Sequence, residues 1–215
     1  MATNNEAMLS AVIVAHNQAE ALEQNLPLFL TCAKEAGCRV IVVDNESSDE
    51  TPDVLKRMCA EHDNLYTTFL PASVVNNSRL QLALSVGVKA ARSQYVMLAD
   101  INRPPRAASW LTPPADGEVT LVYSGRKADD TRVWFQPFDT LDDARPLLLK
   151  GERKSGRGRK GHWCKLAFGH YDAVVVSQER QFDAIRCFDR PVSGFRLAGI
   201  ALRVCWKNMF HRPKM

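Results

Sequence analysis

Three apolar runs in this sequence end on side chains that could do chemistry. Leu9-Ser10-Ala11-Val12-Ile13-Val14-Ala15 stops at His16-Asn17, Val40-Ile41-Val42-Val43 stops at Asp44, and Tyr95-Val96-Met97-Leu98-Ala99 stops at Asp100-Ile101-Asn102. Continuous apolar runs rich in β-formers read as strands buried on both faces, as in a parallel sheet. In open α/β sheets ligands sit in the crevice beyond the carboxyl ends of the strands. An acid placed there has chemistry open to it that an acid in a solvated loop lacks. The alternative for Asp100 is an Asx turn that merely caps the chain reversal before Arg103-Pro104-Pro105.

The elements that must hold these residues follow from periodicity. Asn17 and Glu20 are spaced as a capping pair for a helix whose face is Leu22, Leu26, Phe29, Leu30 and Ala33, ending near Gly37. Thr51-Pro52 reads as N-cap and first residue of a second helix, with Val54, Leu55, Met58 and Cys59 on its apolar face. Leu65–Leu70 is a third strand, and residues 77–92 form a helix with Leu80, Leu84, Val88 and Ala91 inward. This alternation, which shows no internal repeat, predicts an α/β class with a mostly parallel sheet and helices on both faces.

Beyond Pro113-Pro114 the pattern changes. Val119–Tyr123 and Arg132–Phe135 read as strands, Leu141–Leu149 as a short helix, Leu166–Phe168 and Ala173–Val176 as paired strands, and Gln178–Phe188 as a helix. Residues 151–161, Gly-Glu-Arg-Lys-Ser-Gly-Arg-Gly-Arg-Lys-Gly, form a basic, glycine-rich stretch expected to be a loop. From Arg196 to His211 one helical stripe carries Arg196, Gly199, Arg203, Lys207 and His211, with Leu197, Ile200, Trp206 and Phe210 among the apolar remainder.

The net charge of +4 hides an asymmetry. Residues 145–215 hold 16 Lys and Arg against 5 Asp and Glu, whereas residues 1–144 hold 12 against 19. A basic C-terminal part suits phosphate, lipid headgroups or nucleic acid. The six cysteines show no C-x-x-C and no zinc spacing with the histidines, so reduced, mostly buried thiols are expected. No apolar run reaches a membrane span and no basic leader precedes Leu9, so the expected compartment is cytoplasmic.

Together these segments resemble the family-2 glycosyltransferases, which have the A-type glycosyltransferase fold. The opening strand with its His16-Asn17 turn and the run Val40-Ile41-Val42-Val43-Asp44-Asn45-Glu46-Ser47-Ser48-Asp49-Glu50-Thr51 are similar to the family's nucleotide-binding opening. Gly87-Val88-Lys89-Ala90-Ala91-Arg92-Ser93-Gln94-Tyr95 is similar to the approach to its metal motif, and Asp100-Ile101-Asn102 stands where the family carries Asp-x-Asp. The resemblance covers about residues 8–111. It implies a three-layer α/β/α nucleotide-diphospho-sugar transferase-like fold over residues 1–195. Residues 8–111 would be its nucleotide-binding half and 112–195 its variable acceptor-side half, followed by a basic amphipathic helix at 196–215.

By the same resemblance Ala15, His16 and Asn17 line a nucleobase pocket, Asp44, with Asn45 beside it, bonds the base or ribose, and Arg79 contacts the nucleotide. Asp100 and Asn102 face the sugar-diphosphate and a divalent metal, Mn or Mg. A metal or several hydrogen-bond donors would turn the departing nucleoside diphosphate into a good leaving group. Asn102 is neutral where the family has a carboxylate, which weakens the site for a hard cation or leaves the metal dispensable. No general base is assigned; Asp172 and Asp183 qualify by location only.

The implied function is an inverting, weakly metal-dependent transferase in glycan biosynthesis. It would move a sugar from a nucleotide sugar, UDP-linked by expectation, to a glycan or lipid-linked acceptor. A catalytically weakened nucleotide-binding relative is the second reading. A nucleic-acid-binding protein using residues 151–161 is the third and is not favoured, because only Trp163 supplies an aromatic there. The basic tail predicts a peripheral place on an anionic inner membrane surface, with packing on the sheet or a second copy as its alternative.

Overall fold

The computed structural model describes residues 8–70, 79–113, 117–124, 132–148 and 171–186. Its elements are β1 (Leu9–Ala15), α1 (Ala19–Glu35), β2 (Arg39–Asp44), α2 (Thr51–Glu61), β3 (Leu65–Phe69), α3 (Arg79–Ala90) and β4 (Tyr95–Ala99). After a 3₁₀ turn at Ala108–Leu111 come β5 (Val119–Ser124), β6 (Val133–Phe138), α4 (Leu141–Leu148), β7 (Ala173–Ser177) and α5 (Gln181–Ile185). The basic stretch 151–161, the strand expected at Leu166–Phe168 and the tail at 196–215 lie outside the described residues.

One seven-stranded sheet runs β3-β2-β1-β4-β7-β5-β6. The first four strands in that order pair in parallel, and β7, β5 and β6 are joined by antiparallel pairings. The parallel half is apolar on both faces, as crossover helices require. Val40 and Val42 face α1 and α2 in one core cluster, while Ile41 and Val43 pack toward α3 on the other side. This is the three-layer α/β/α arrangement expected from the sequence.

Close packing fixes how near α3 lies to the sheet. A Cβ built on Gly87 would lie 2.5 Å from Val12 Cγ1 and 2.9 Å from Val43 Cγ2. The missing side chain lets α3 lie directly on β1 and β2, and Arg79 is its first described residue. On the opposite face Trp110 is fully buried, and its ring meets Phe29 edge-on at 5.7 Å and 74°. That contact seats the chain leaving β4 beneath α1.

Several local expectations need correction. β6 continues through Pro137 to Phe138, beyond the expected end at Phe135. Proline is tolerated because β6 is an edge strand and needs no donor on its outer side. Among the described residues, the helix expected from Gln178 starts only at Gln181 and runs to Ile185, because Gln178 N donates to Gln94 O and Arg180 N to Ser177 O, keeping the preceding backbone in a turn. Cys59 is exposed, and Thr51 rather than Cys59 completes the buried face of α2. Cys32 is half-buried and Cys38 buried, both free, with burial raising each thiol's pKa.

Candidate functional site

The loops after β1 and β2 are laced together. Asn45 N donates to Ala15 O at 2.8 Å, continuing the strand pairing into the loops. Asn17 N donates to Ser47 Oγ at 2.9 Å, and Asn17 Oδ1 accepts from Ser48 N at 2.7 Å. His16 Nδ1 lies 2.8 Å from Asn45 O. A carbonyl only accepts, so Nδ1 donates its proton to it. Among the described residues Asn17 (φ 50°) and Glu46 (φ 58°) are the non-glycine residues in left-handed backbone, one in each loop. Asparagine enters that region readily and glutamate does not.

Asp49 joins the two helices that follow these loops. Its Oδ2 accepts from Ala19 N, the first residue of α1, at 3.1 Å; its Oδ1 accepts from Thr51 N, the first residue of α2, at 3.0 Å. Hydrogen bonding to Thr51 holds the Asp49 carboxyl below its ordinary pKa. The expected Asn17–Glu20 capping pair is therefore not formed. The residue before α1 is Gln18, whose N–H goes to Thr51 Oγ1 at 3.0 Å, and Asn17 spends its side chain on Ser48. Thr51 likewise is the first helical residue of α2, following Glu50.

Asp44 ends β2 with little of it exposed to solvent, and its Oδ1 accepts from Ser47 N at 3.0 Å. Arg79 reaches the same loop from the start of α3. Its Nε donates to Asn45 Oδ1 at 3.3 Å, and its Nη2 forms an ion pair with Glu46 Oε2. That Nη2 is buried, and the ion pair does not have hydrogen-bond geometry. Ala15, His16, Asn17, Asp44, Asn45 and Arg79 thus come together at the ends of β1 and β2.

At the end of β4 the arrangement differs. Asp100 Oδ1 accepts from both Asn102 N and Asn102 Nδ2, each at 3.0 Å. The Asx turn considered as the alternative is present, and the carboxamide turns its nitrogen toward the carboxylate. In this arrangement the carboxamide presents its nitrogen rather than its oxygen to the carboxylate. Among the described residues no three His, Cys, Asp or Glu side chains are grouped to hold an ion. Asp100 and Asn102 do not make a metal cage of their own.

The Asp100 turn is anchored by Arg103. Arg103 N donates to Asp100 O at 2.9 Å, while its Nη1 donates to Tyr171 O at 2.7 Å and to Asp172 Oδ1 at 3.2 Å. Asp172 Oδ2 accepts from Ser124 N at 2.7 Å. Asp172 lies at the same edge as Asp100, because it immediately precedes Ala173, the partner of Ala99. With a bond to each oxygen, Asp172 braces this edge of the site. Asp183 follows the far end of antiparallel β7, where Ser177 pairs with Tyr95, and it ion-pairs with Arg186 at 3.5 Å. It sits at the opposite end of the sheet from Asp100.

A cleft of about 870 Å³ runs between the α1 and α2 starts and Asn102. Glu20, Asp49, Glu50 and Asp53 line it. The positive helix ends are therefore already met by carboxylates, which leaves them little attraction for a phosphate. Sequence reasoning missed Asp49 and Arg103 as organisers of this edge. The two-residue offset from Asp49 to Thr51 was a usable capping signal, but the contact with Ala19 spans 30 positions and has no local signature.

The family model described as Glycosyl transferase family 2 matches residues 10–101, which bears out the resemblance over that stretch. No curated protein matches the chain. Among solved structures, a mannosyltransferase from Pyrobaculum calidifontis in complex with GDP-Man and Mn2+ is 21% identical, with 58% of this chain and 36% of that chain covered and a TM-score of 0.42. The chain spans little more than a third of that protein's length. A nucleotidyl transferase from Methanothermobacter is 16% identical over 92% of this chain and 84% of that one, with a TM-score of 0.48. The galactosyltransferase LgtC in complex with donor and acceptor sugar analogs is 14% identical over 90% and 64%, with a TM-score of 0.42.

Proposed function

We propose that this chain, whose residues 10–101 match the family-2 glycosyl transferases, binds a nucleotide sugar and transfers its sugar to a glycan or lipid-linked acceptor with inversion. The observation that best supports this is the gathering of Asp44, Asn45 and Arg79 at the carboxyl edge of the parallel half. The loops there are tied to one another before any ligand arrives. A base or ribose would find a rigid, partly buried carboxylate whose position costs little ordering on binding. UDP is the nucleotide expected, with Ala15, His16 and Asn17 beside the base.

The diphosphate half of the donor needs positive charge that the acidic cleft does not offer. We assign this to the chain's own cations: Arg79, and the basic stretch with Lys154, Arg157, Arg159 and Lys160. A divalent ion, Mn or Mg, is at most a weak contributor given the Asp100–Asn102 hydrogen bonds. The tail at 196–215 is proposed to hold the protein against an anionic membrane surface, near a lipid-linked acceptor. Among the described residues no helix is long and apolar enough to cross a membrane.

A second reading, a nucleotide-binding relative without turnover, is favoured by one observation: both Asp172 oxygens accept bonds from Arg103 and Ser124, a bracing role, and no other acid is assigned as the base. Incubation with UDP- and GDP-linked sugars separates the two readings. Release of nucleoside diphosphate that Asp44→Ala abolishes supports the transferase. Binding without release supports the second reading, and neither binding nor release defeats both.

A further inference from the structure

Arg79 is already occupied by the chain itself. Glu46 Oε2 meets its buried Nη2, and Asn45 Oδ1 takes its Nε. Glu46 holds a left-handed backbone at φ 58°, a conformation that glycine or asparagine adopts more readily. Among the described residues the partner of the Glu46 side chain is Arg79. The bonds that shape the turn come from Asp44, Asn45, Ser47 and Ser48. What Glu46 adds is its carboxylate, and that carboxylate faces Arg79.

The pair is built to be exchanged. The side chains of Arg79 and Glu46 are 33% and 44% exposed, so a ligand can approach the pair, although Nη2 itself is buried until Glu46 moves aside. A pair this exposed is weak. Arg79 Nη2 also lacks a properly directed hydrogen bond, which a ligand oxygen could supply. An anionic ligand approaching Arg79 must meet the negative charge of Glu46 on the way.

We propose that Glu46 is an internal competitor for the nucleotide: its carboxylate occupies Arg79 in the free protein, and binding a nucleoside diphosphate exchanges it for a ligand oxygen. This rests on the reading of Arg79 as a nucleotide contact and adds a latch that sets the affinity of the site.

Calorimetric titration of the full chain with UDP tests it, using Glu46→Gln, Glu46→Gly, Arg79→Ala and the Arg79→Ala/Glu46→Gln double variant. Removing the carboxylate should tighten binding by about threefold to fivefold, the worth of an exposed ion pair. Arg79→Ala should weaken binding, and in that background Glu46→Gln should change nothing. Tightening of equal size in both backgrounds would show a general charge effect and overturn the latch. So would unchanged or weaker binding in both Glu46 variants while Arg79→Ala still weakens it, leaving the nucleotide reading in place. Unchanged affinity in Arg79→Ala overturns that reading as well. A measurement free of nucleotide stands beside these: the Arg79 Nη2 protons, which Glu46 faces, should exchange with solvent faster in Glu46→Gln than in the unsubstituted protein, and equal rates would overturn the latch.

Discussion

The loops after β1 and β2 and the turn after β4 lie on the same edge of one sheet, yet they are held in opposite ways. The first two are fastened to each other, through Asn17 to Ser47 and Ser48, His16 to Asn45, and Asp49 to both helix starts. The turn at Asp100 is fastened away from them, through Arg103 to Tyr171 and Asp172 in the antiparallel half. The nucleotide end of the proposed site therefore has its shape built in from local loops. The sugar-phosphate end takes its shape from distant strands.

That contrast can be broken most severely at Arg103. Arg103→Ala removes two bonds from one guanidinium nitrogen and leaves the largely buried Asp172 carboxylate without its cation. Loss of charged hydrogen bonds of this kind costs about 2–3 kcal/mol. Chemical denaturation should show that loss, while nucleotide contacts at Asp44 persist in whatever fraction remains folded. A loss no larger than that of an ordinary surface variant would mean the β4 turn does not depend on the antiparallel half.

Gly87→Ala probes the other side of the comparison. The added methyl would press on Val12 and Val43, and overpacking of this kind costs about 1–3 kcal/mol. Because α3 carries Arg79, its displacement should also weaken UDP binding. Stability that falls with affinity unchanged would separate Arg79 from the ligand.

Smaller effects follow from titration. Asp49 has a lowered pKa in the folded chain, so its contribution is complete above the unfolded value near about 3.9 and vanishes as pH falls through the folded value. Asp49→Asn should flatten the acid limb of a stability profile. Tyr123 behaves in the opposite sense at the antiparallel end. Burial, aided by Asp172, pushes its pKa up to about 12, so its contribution is complete below about 10 and is lost as pH rises toward the folded value. Tyr123→Phe should flatten the alkaline limb, and an unaltered limb would show that its phenol is not the group that titrates.

The smallest change expected is at Asn102. Asn102→Asp replaces the amide donor facing Asp100 with a second carboxylate, which a hard cation prefers. UDP affinity should then rise when Mn²⁺ is added, by more than in the unsubstituted protein. An equal Mn²⁺ effect in both would place residue 102 away from the diphosphate.

The same contrast marks how far the sequence could be read. Periodicity located β1 to β4 and their helices because each buries continuous apolar residues, and Leu22, Leu26, Phe29, Leu30 and Ala33 all face inward as expected. Gathering Asp44, Asn45 and Asp100 at one edge followed from strand direction alone. The partners of those residues did not. Arg103 meets Asp172 across 69 positions and Asp49 meets Ala19 across 30, and neither distance leaves a periodic trace. The Asx turn at Asp100 was legible as an alternative, because a short acid followed by Asn before Arg-Pro-Pro has that local preference. The pre-engagement of Arg79 by Glu46 was not, since it depends on how closely α3 sits against β1 and β2.

The central claim is that the edge formed by Asp44, Asn45 and Arg79 binds a nucleoside diphosphate. Titration calorimetry of the full chain with UDP, beside Asp44→Ala, tests it most directly. Losing a charged hydrogen bond to a ligand costs on the order of 2 kcal/mol, so the variant should bind more than tenfold more weakly while its thermal unfolding still reports a folded protein. Equal affinity in the two proteins, or no heat from either with UDP or GDP, would contradict it.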